Sequence, residues 1–508
     1  MKTSKNQPQR FSLLSSVFGI AFLGFSSFAT AVNCDDIPQW VNTQSFAAPQ
    51  KVVENHILYE AKWWNQNEQP SLNSQQDWQP WKKLGECVTV DIDKELMIRD
   101  LSVVDSVHAK TGQLSIQHLI AQMMPQANPT LQQQSDFIQQ WLNQFLVDTV
   151  VNGDLAPARP DFDNAFLQEW RQRSAGSGVT LNSAVAPFRL LAIVYRPDLH
   201  KRAANGAVLH AGEVRFVYGF SDTLRFPATV IFEFGLAANS DAQLNAWVDE
   251  FHALSQLPFG EGYNTALLSL LNKVTRKGAV ASKPNGSALN QVRTNEIRFG
   301  QQWELREFKL NAATGQLNQF TVAQTPANRH NRTAFLADYI NANEADILFG
   351  DHQIPNTVNG QAFAGAASLE DQSLLTFWDA PGINNPEARH VFSLNTCSGC
   401  HARETRTVFQ HIGSRSEGEV AALSAFLTGT QVTDPVTNVL REFDDLEKRK
   451  LVLTCLVQRC ASTATNVSFA STASFAAVAE GAENDSVADN TLAAEFLEIM
   501  AERRNSPH

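Results

Sequence analysis

Between Cys34 and Cys87 the chain gathers five of its ten tryptophans and two of its six cysteines into a short polar stretch. The stretch opens Cys34-Asp-Asp-Ile-Pro-Gln-Trp40, runs through Tyr59-Glu-Ala-Lys-Trp63-Trp64 and closes Trp81-Lys-Lys-Leu-Gly-Glu-Cys87. A segment of that size lacks the volume to bury so many indoles in one core. Some must face solvent, and exposed aromatic planes on a small rigid scaffold mark a binding face. Flat apolar rings with polar edges suit the faces of sugar rings.

The first 31 residues read as a secretory signal peptide. Lys2, Lys5 and Arg10 form a positive start, Phe11 to Phe28 an apolar run, and Ala29-Thr30-Ala31 a small-residue cleavage site. Ser15, Ser16, Gly19, Gly24, Ser26 and Ser27 interrupt that run, which argues against a membrane anchor. No later run of apolar residues is long enough to span a bilayer, so the mature chain is expected to be exported with no membrane span. The net charge of −12 argues against nucleic acid as a partner. In an exported chain six cysteines point to disulfides or to metal and cofactor ligands. They fall into three sets: Cys34 with Cys87, Cys397 with Cys400, and Cys455 with Cys460.

The expected fold class is α+β and multidomain. Residues 33–87 form a first unit of short strands. Residues 88–394 form a mixed α and β domain, 395–460 a mainly helical cysteine-bearing region, and 461–508 a low-complexity tail with a possible terminal helix at Thr491 to Arg504. Strands are expected at Phe188–Tyr195, Glu213–Phe220, Ala228–Phe234 and Gln302–Leu310. Helices are expected at 135–146 with Ser135 as N-cap, and at Asp241–Leu257, Thr265–Val274 and Thr333–Phe349.

Trp40, Tyr59-Glu-Ala-Lys-Trp63-Trp64, Glu68-Gln-Pro70 and Trp81-Lys-Lys-Leu-Gly-Glu-Cys87 resemble the small chitin-binding carbohydrate-binding modules of family 5/12. The resemblance spans 34–87. It departs from the family at Asn55, where a glycine is usual before the tyrosine, and at the turn near Pro49. The resemblance implies a compact, twisted all-β fold whose exposed aromatics stack on N-acetylglucosamine rings. Trp40, Trp63 and Trp64 are then the stacking residues, while Tyr59 and Trp81 pack inside. It also implies that Cys34 and Cys87 close the module, a cross-link of a loop that long stabilising by about 4 kcal/mol. Cys455 and Cys460 are expected to form a second disulfide.

Such modules are often attached to glycoside hydrolases, which need two flanking carboxylic groups. Asp91-Ile-Asp93-Lys-Glu95 superficially matches the D-x-D-x-E of family 18 chitinases, but it begins four residues after Cys87 and leaves no room for the preceding barrel strands. It is expected to be an acidic connecting strand. Glu213, Glu233, Glu296, Glu304 and Glu307 are expected on half-exposed strands, with alternating charge that needs no catalytic explanation. His210-Ala-Gly-Glu213-Val-Arg215 could line a pocket or form a surface salt bridge. No catalytic residue is assigned.

Asn395-Thr-Cys397-Ser-Gly-Cys400-His401 contains C-x-x-C-H, the attachment pattern of c-type haem. The two thiols would form thioethers to the haem vinyl groups and His401 would ligate the iron. The resemblance to cytochromes c is confined to these five residues. After His401 the sole methionine is Met500, so His411, His390 or an open site replaces the usual second ligand. A Cys397–Cys400 disulfide, or zinc held by Cys397, Cys400, His401 and His411, are the alternatives. The combined expectation is a secreted chitin-binding protein that carries a large accessory domain. That domain could transfer electrons to a redox partner enzyme through one covalent haem c. The alternatives are an adhesin or a hydrolase of unrecognised type.

Overall fold

The computed structural model describes residues 31–34, 37–55, 57–203, 205–220, 227–296, 299, 302–350, 352–369 and 377–459. The expected signal peptide up to residue 30, Cys460, the expected low-complexity tail and its possible terminal helix lie outside these residues. The chain divides into two compact units, one ending at Cys87 and the other carrying Val88 onward. No helix among the described residues is long and apolar enough to cross a membrane.

The first unit is built on β1 (Ala31–Asn33), β2 (Lys51–Glu54), β3 (Ile57–Ala61) and β4 (Trp81–Val88), in the order β1-β4-β3-β2. Antiparallel pairing sets Val52 opposite Tyr59 and Ala61 opposite Trp81. Phe46 meets Trp81 edge to face at 5.3 Å in a small core shared with Val52, Tyr59 and Ala61. A disulfide joins Cys34 and Cys87.

The second unit is mixed α and β, organised on an eight-stranded antiparallel sheet. Its strands are β5 (Met97–Ile98), β6 (Phe188–Arg202), β7 (Val208–Phe220), β8 (Ala228–Gly235), β9 (Leu289–Glu296), β10 (Glu304–Leu310) and β11 (Leu317–Phe320), in the order β11-β10-β9-β8-β7-β6-β5. β12 (Ser368–Leu369) pairs with β10. The register aligns Ile193, Phe216, Phe232, Val292 and Phe308 in one row across β6 to β10. Alternation along each strand sends this row to a single face. Trp141 and Phe251 cover that face, with Trp141 6.0 Å from Phe308 and Phe251 stacked on Tyr195 at 3.8 Å.

The opposite face carries charge. Arg215 lies opposite Glu233, and Arg293 opposite Glu307. Arg215 Nε stands 3.4 Å from Glu233, whose carboxylate is 3.5 Å from Arg293, and Arg293 Nε is 3.3 Å from Glu307. The glutamates expected on half-exposed strands are thus mostly buried: Glu233, Glu296, Glu304 and Glu307 are enclosed and paired with arginines. Glu213 bonds Arg215 at 3.0 Å within the sheet rather than at the surface.

The helix expected from Ser135 begins earlier, at Leu131, and runs to Leu142. Thr130 accepts the Gln133 N–H while the Gln133 side chain accepts the Thr130 N–H, a capping box that outcompetes Ser135. Ser135 is instead a buried helical residue whose hydroxyl accepts the Leu181 N–H. Helices occupy Asp241–His252, Glu261–Thr275 and Ala334–Ala342, the last capped by Thr333. Between Asn395 and residue 459 the chain is less helical than expected, because Thr430–Thr433 pairs with Leu440–Phe443 as a hairpin before the helix Asp445–Gln458.

Candidate functional site

In the first unit, Tyr59 and Trp81 are buried, and Trp81 Nε1 donates to the Glu68 carbonyl at 2.7 Å. Trp40 is partly buried and packs against the same core. Trp63 and Trp64 follow the end of β3 and are 44% and 65% exposed. A fifth indole, Trp78, is 76% exposed on the loop between β3 and β4. The sequence assigned it no role. The surrounding Asn, Gln and Ser run reads as a plain loop, and nothing in that run signals that the loop is built to hold a ring.

In the second unit, the helix Pro386–Leu394 leads into the C-x-x-C-H motif, whose Cys400 and His401 lie in the helical turn Gly399–Arg403. Cys397 and Cys400 are both buried free thiols, so they do not form a disulfide. Cys397 packs with Trp303, Leu305 and Val322, and Cys400 with Met97, Leu191 and Ile412. Burial pushes the Cys397 thiol up to about 11 and the Cys400 thiol well above its ordinary value. Neither is an activated thiolate. Cys400 Sγ lies 3.5 Å from His411 Nε2, and His411 Nδ1 lies 3.0 Å from Ser424 Oγ.

His401 donates through Nδ1 to the Phe409 carbonyl at 2.8 Å, which fixes its tautomer. Asn295 Nδ2 donates to the same oxygen at 2.7 Å, while Asn295 Oδ1 accepts the Trp303 indole N–H at 2.7 Å. Trp303 stacks on His401 with centroids 5.8 Å apart. Desolvation lowers His401 to about 4 and holds His411 well below the usual histidine range, so both imidazoles are neutral near pH 7. The chain reaches this arrangement through two left-handed residues, Arg406 at φ 53° and Phe409 at φ 59°. For a bulky residue that conformation is costly, and such outliers gather at functional sites.

A pocket of about 80 Å³ adjoins His401 and His411 and is lined in part by Arg196, Arg215 and Arg293. A second, of about 350 Å³, reaches Cys400. The two cysteines and two histidines do not converge as a zinc tetrad. Among the described residues, one group of His, Cys, Asp and Glu brings three ligand atoms within 4.8 Å of one another: His390, Glu404 and Asp434. His390 Nδ1 is 2.8 Å from Glu404 and 3.3 Å from Asp434, and Arg389 bonds both carboxylates. Arg389 and His390 thus supply positive charge where a metal would, and His390 is turned into this cluster rather than toward His401.

The acidic run after Cys87 is a helical turn, Ile92–Leu96, rather than a strand. Asp91 caps it by accepting the Asp93 and Lys94 N–H groups, and helical closure then places Glu95 inward. Glu95 is fully buried, accepting the Asp91 N–H at 2.7 Å, with His252 Nδ1 hydrogen-bonded to its other oxygen at 2.9 Å. Asp93 instead pairs with Arg99 at the surface, at 3.2 Å.

No protein-family model, curated protein or solved structure matches the chain.

Proposed function

We propose that the chain is a secreted polysaccharide-binding protein with chitin as its ligand. The observation that carries this reading is the split among the aromatics of the first unit. Phe46, Tyr59 and Trp81 fill the core, while Trp63 and Trp64 stay largely exposed beside it. Leaving indoles in water forfeits their burial, and it is compensated when a ligand covers them. Sedimentation of the full chain with insoluble chitin tests the reading. Trp63→Ala with Trp64→Ala should abolish most binding, and a folded double variant that sediments like the parent would overturn it.

A second reading concerns the large unit, which we infer carries one covalent haem c as an accessory electron-transfer site serving a redox partner enzyme. The support is the tautomer of His401, fixed through Nδ1 by the Phe409 carbonyl in the way second-shell groups orient metal-ligating histidines. Two reduced thiols precede it in the motif, and the small adjoining pocket is lined in part by Arg196, Arg215 and Arg293, each already paired with a carboxylate. Cys397, Cys400 and His401 are all buried and Cys397 is held by Thr325, so taking up the group would require the packing around the motif to open. Each thiol S–H adds across a vinyl group, so attachment consumes no oxidant, and the bound haem would supply one-electron chemistry. Protein from cells that mature c-type cytochromes should gain on the order of 600 Da and show a Soret band that shifts on reduction. A colourless protein without that mass would overturn this reading and leave the polysaccharide reading intact.

A further inference from the structure

We propose that Trp78 is a third sugar-stacking platform, which makes the first unit a reader of extended β-linked chains rather than of single sugars or chain ends. The inference rests on the polysaccharide reading of Trp63 and Trp64 and adds a residue that neither the sequence pattern nor that reading supplied.

The loop bearing Trp78 is built rather than slack. At its base the buried Glu54 carboxylate accepts the Gln69 side-chain amide at 2.6 Å and the Ser71 N–H at 2.8 Å. Asn73 Nδ2 donates to the Gln69 carbonyl at 3.0 Å, and the Trp81 N–H returns to the Asn73 carbonyl at 3.1 Å. Nearer Trp78, the Gln79 side-chain oxygen accepts both the Gln75 and Gln76 N–H groups, at 2.6 and 2.8 Å, and its amide reaches the Leu72 carbonyl at 3.2 Å. Gln79 therefore fastens the backbone on both sides of an indole that is itself 76% exposed. Ordering a loop costs conformational entropy. Spending it to hold a ring in solvent has no return in folding, and a direct one in binding, where a pre-ordered contact loses less entropy on association.

Lys62 connects this loop to the other indoles. Its backbone N–H donates to the Pro80 carbonyl at 2.8 Å, and its ammonium donates to the Asp77 carbonyl at 3.0 Å. The same ammonium lies 5.9 Å from the centre of the Trp63 ring. The Trp63 ring and the peptide bond that leads into Trp78 are thus separated by no more than those two lengths together. One lysine thus ties an exposed ring, Trp63, to the backbone immediately before the other, Trp78. Lys62, Gln66, Asn67 and Asp77 around the rings offer hydrogen-bonding groups of both senses, as a neutral, hydroxyl-rich chain requires. A membrane surface or an acidic partner would call for a cationic rim instead.

The test is the length dependence of binding, measured by calorimetry on the full chain with N-acetylglucosamine oligomers of two, four and six units. Trp78→Ala should weaken binding of the hexamer and of insoluble chitin about fivefold to tenfold, the worth of one aromatic stack, and leave the dimer unchanged. Trp78→Phe should recover part of the loss, and Leu72→Ala, an exposed change on the same loop, should have no effect. The exposure of Trp78 keeps all of these variants folded. If Trp78→Ala binds the hexamer like the parent while the Trp63, Trp64 double variant fails, the third platform is wrong and the polysaccharide reading stands. If the parent binds no oligomer and no chitin, both fall together.

Discussion

Phe409 sits at φ 59° and turns its carbonyl onto His401 Nδ1, 2.8 Å away. The left-handed conformation costs a residue with a Cβ about 1–2 kcal/mol, whereas glycine adopts it freely. Elsewhere glycine is worse than alanine by roughly 0.5–1 kcal/mol because its unfolded chain has more freedom. At position 409 the order should reverse. Both Phe409→Ala and Phe409→Gly lose the ring stacked on Trp303 at 5.3 Å, so that loss cancels in the comparison. Chemical denaturation should find the glycine variant at least as stable as the alanine variant. A clearly more stable alanine variant would show that the conformation is unstrained.

The buried His390 gives a pH signature. Against desolvation, its bonds to Asp434 and Glu404 raise its pKa above the ordinary value. A histidine whose folded pKa is raised contributes stability that is fully present below the unfolded value, about 6.5, and is lost as pH rises through the folded value. The stability difference between the parent and His390→Gln should therefore be largest in mild acid and shrink as pH climbs from about 6.5. The comparison must be between the two proteins, because His401 and His411, held neutral by burial, act in the opposite direction in both. A difference that grows with pH would contradict the ion cluster.

These two sites show what the sequence could and could not carry. Exposed rings were legible in the first unit, because a short polar segment cannot bury every indole it carries, and Trp63 and Trp64 are the ones left out. Trp78 escaped because its rigidity comes from Gln79, Asn73 and Glu54, hydrogen bonds that leave no periodic trace. Strands β6, β7, β8 and β10 were legible from their apolar alternation. Leu289–Glu296 was not, since Arg293 and Asn295 occupy its inward positions on the charged face and break the pattern. The glutamates read as half-exposed from sequence, because a buried carboxylate and a solvated one look alike until the arginine across the strand is located. The C-x-x-C-H spacing announced itself, but whether its thiols were bonded to each other depended on the tertiary packing of Cys397 and Cys400 in separate apolar clusters.

Glu95 is structural. Glu95→Ala should destabilise the protein by about 1–3 kcal/mol, because the Asp91 N–H would lose its acceptor and His252 its partner in a desolvated site. Glu95→Gln keeps an acceptor for Asp91 and should cost less. Neither change should alter chitin binding per folded molecule, and changing Asp91, Asp93 and Glu95 together to the amides should alter no chitin-degrading activity. Hydrolysis of N-acetylglucosamine oligomers by the parent, lost in Glu95→Gln, would restore the hydrolase reading.

The charged face of the sheet makes the strongest energetic prediction. Arg293 bridges Glu233 at 3.5 Å and Glu307 at 3.3 Å, and all three side chains are buried. Desolvating such charges is expensive, so the row as a whole stabilises the sheet little compared with apolar residues of the same volume. Removing one member is different, because in a dry interior it leaves Arg293 with Glu233 alone, or Glu307 with Lys309 alone at 3.0 Å. Glu307→Leu and Arg293→Met should each cost about 3–5 kcal/mol. Together they should cost well under the sum, since each removes the charge that the other left uncompensated. Glu233 keeps Arg215 as a partner at 3.4 Å in the double variant, which limits the residual penalty. Denaturant unfolding of the parent, both single variants and the double variant closes the cycle. Additive losses would mean that Arg293 and Glu307 are solvated independently and that the row is not a coupled network.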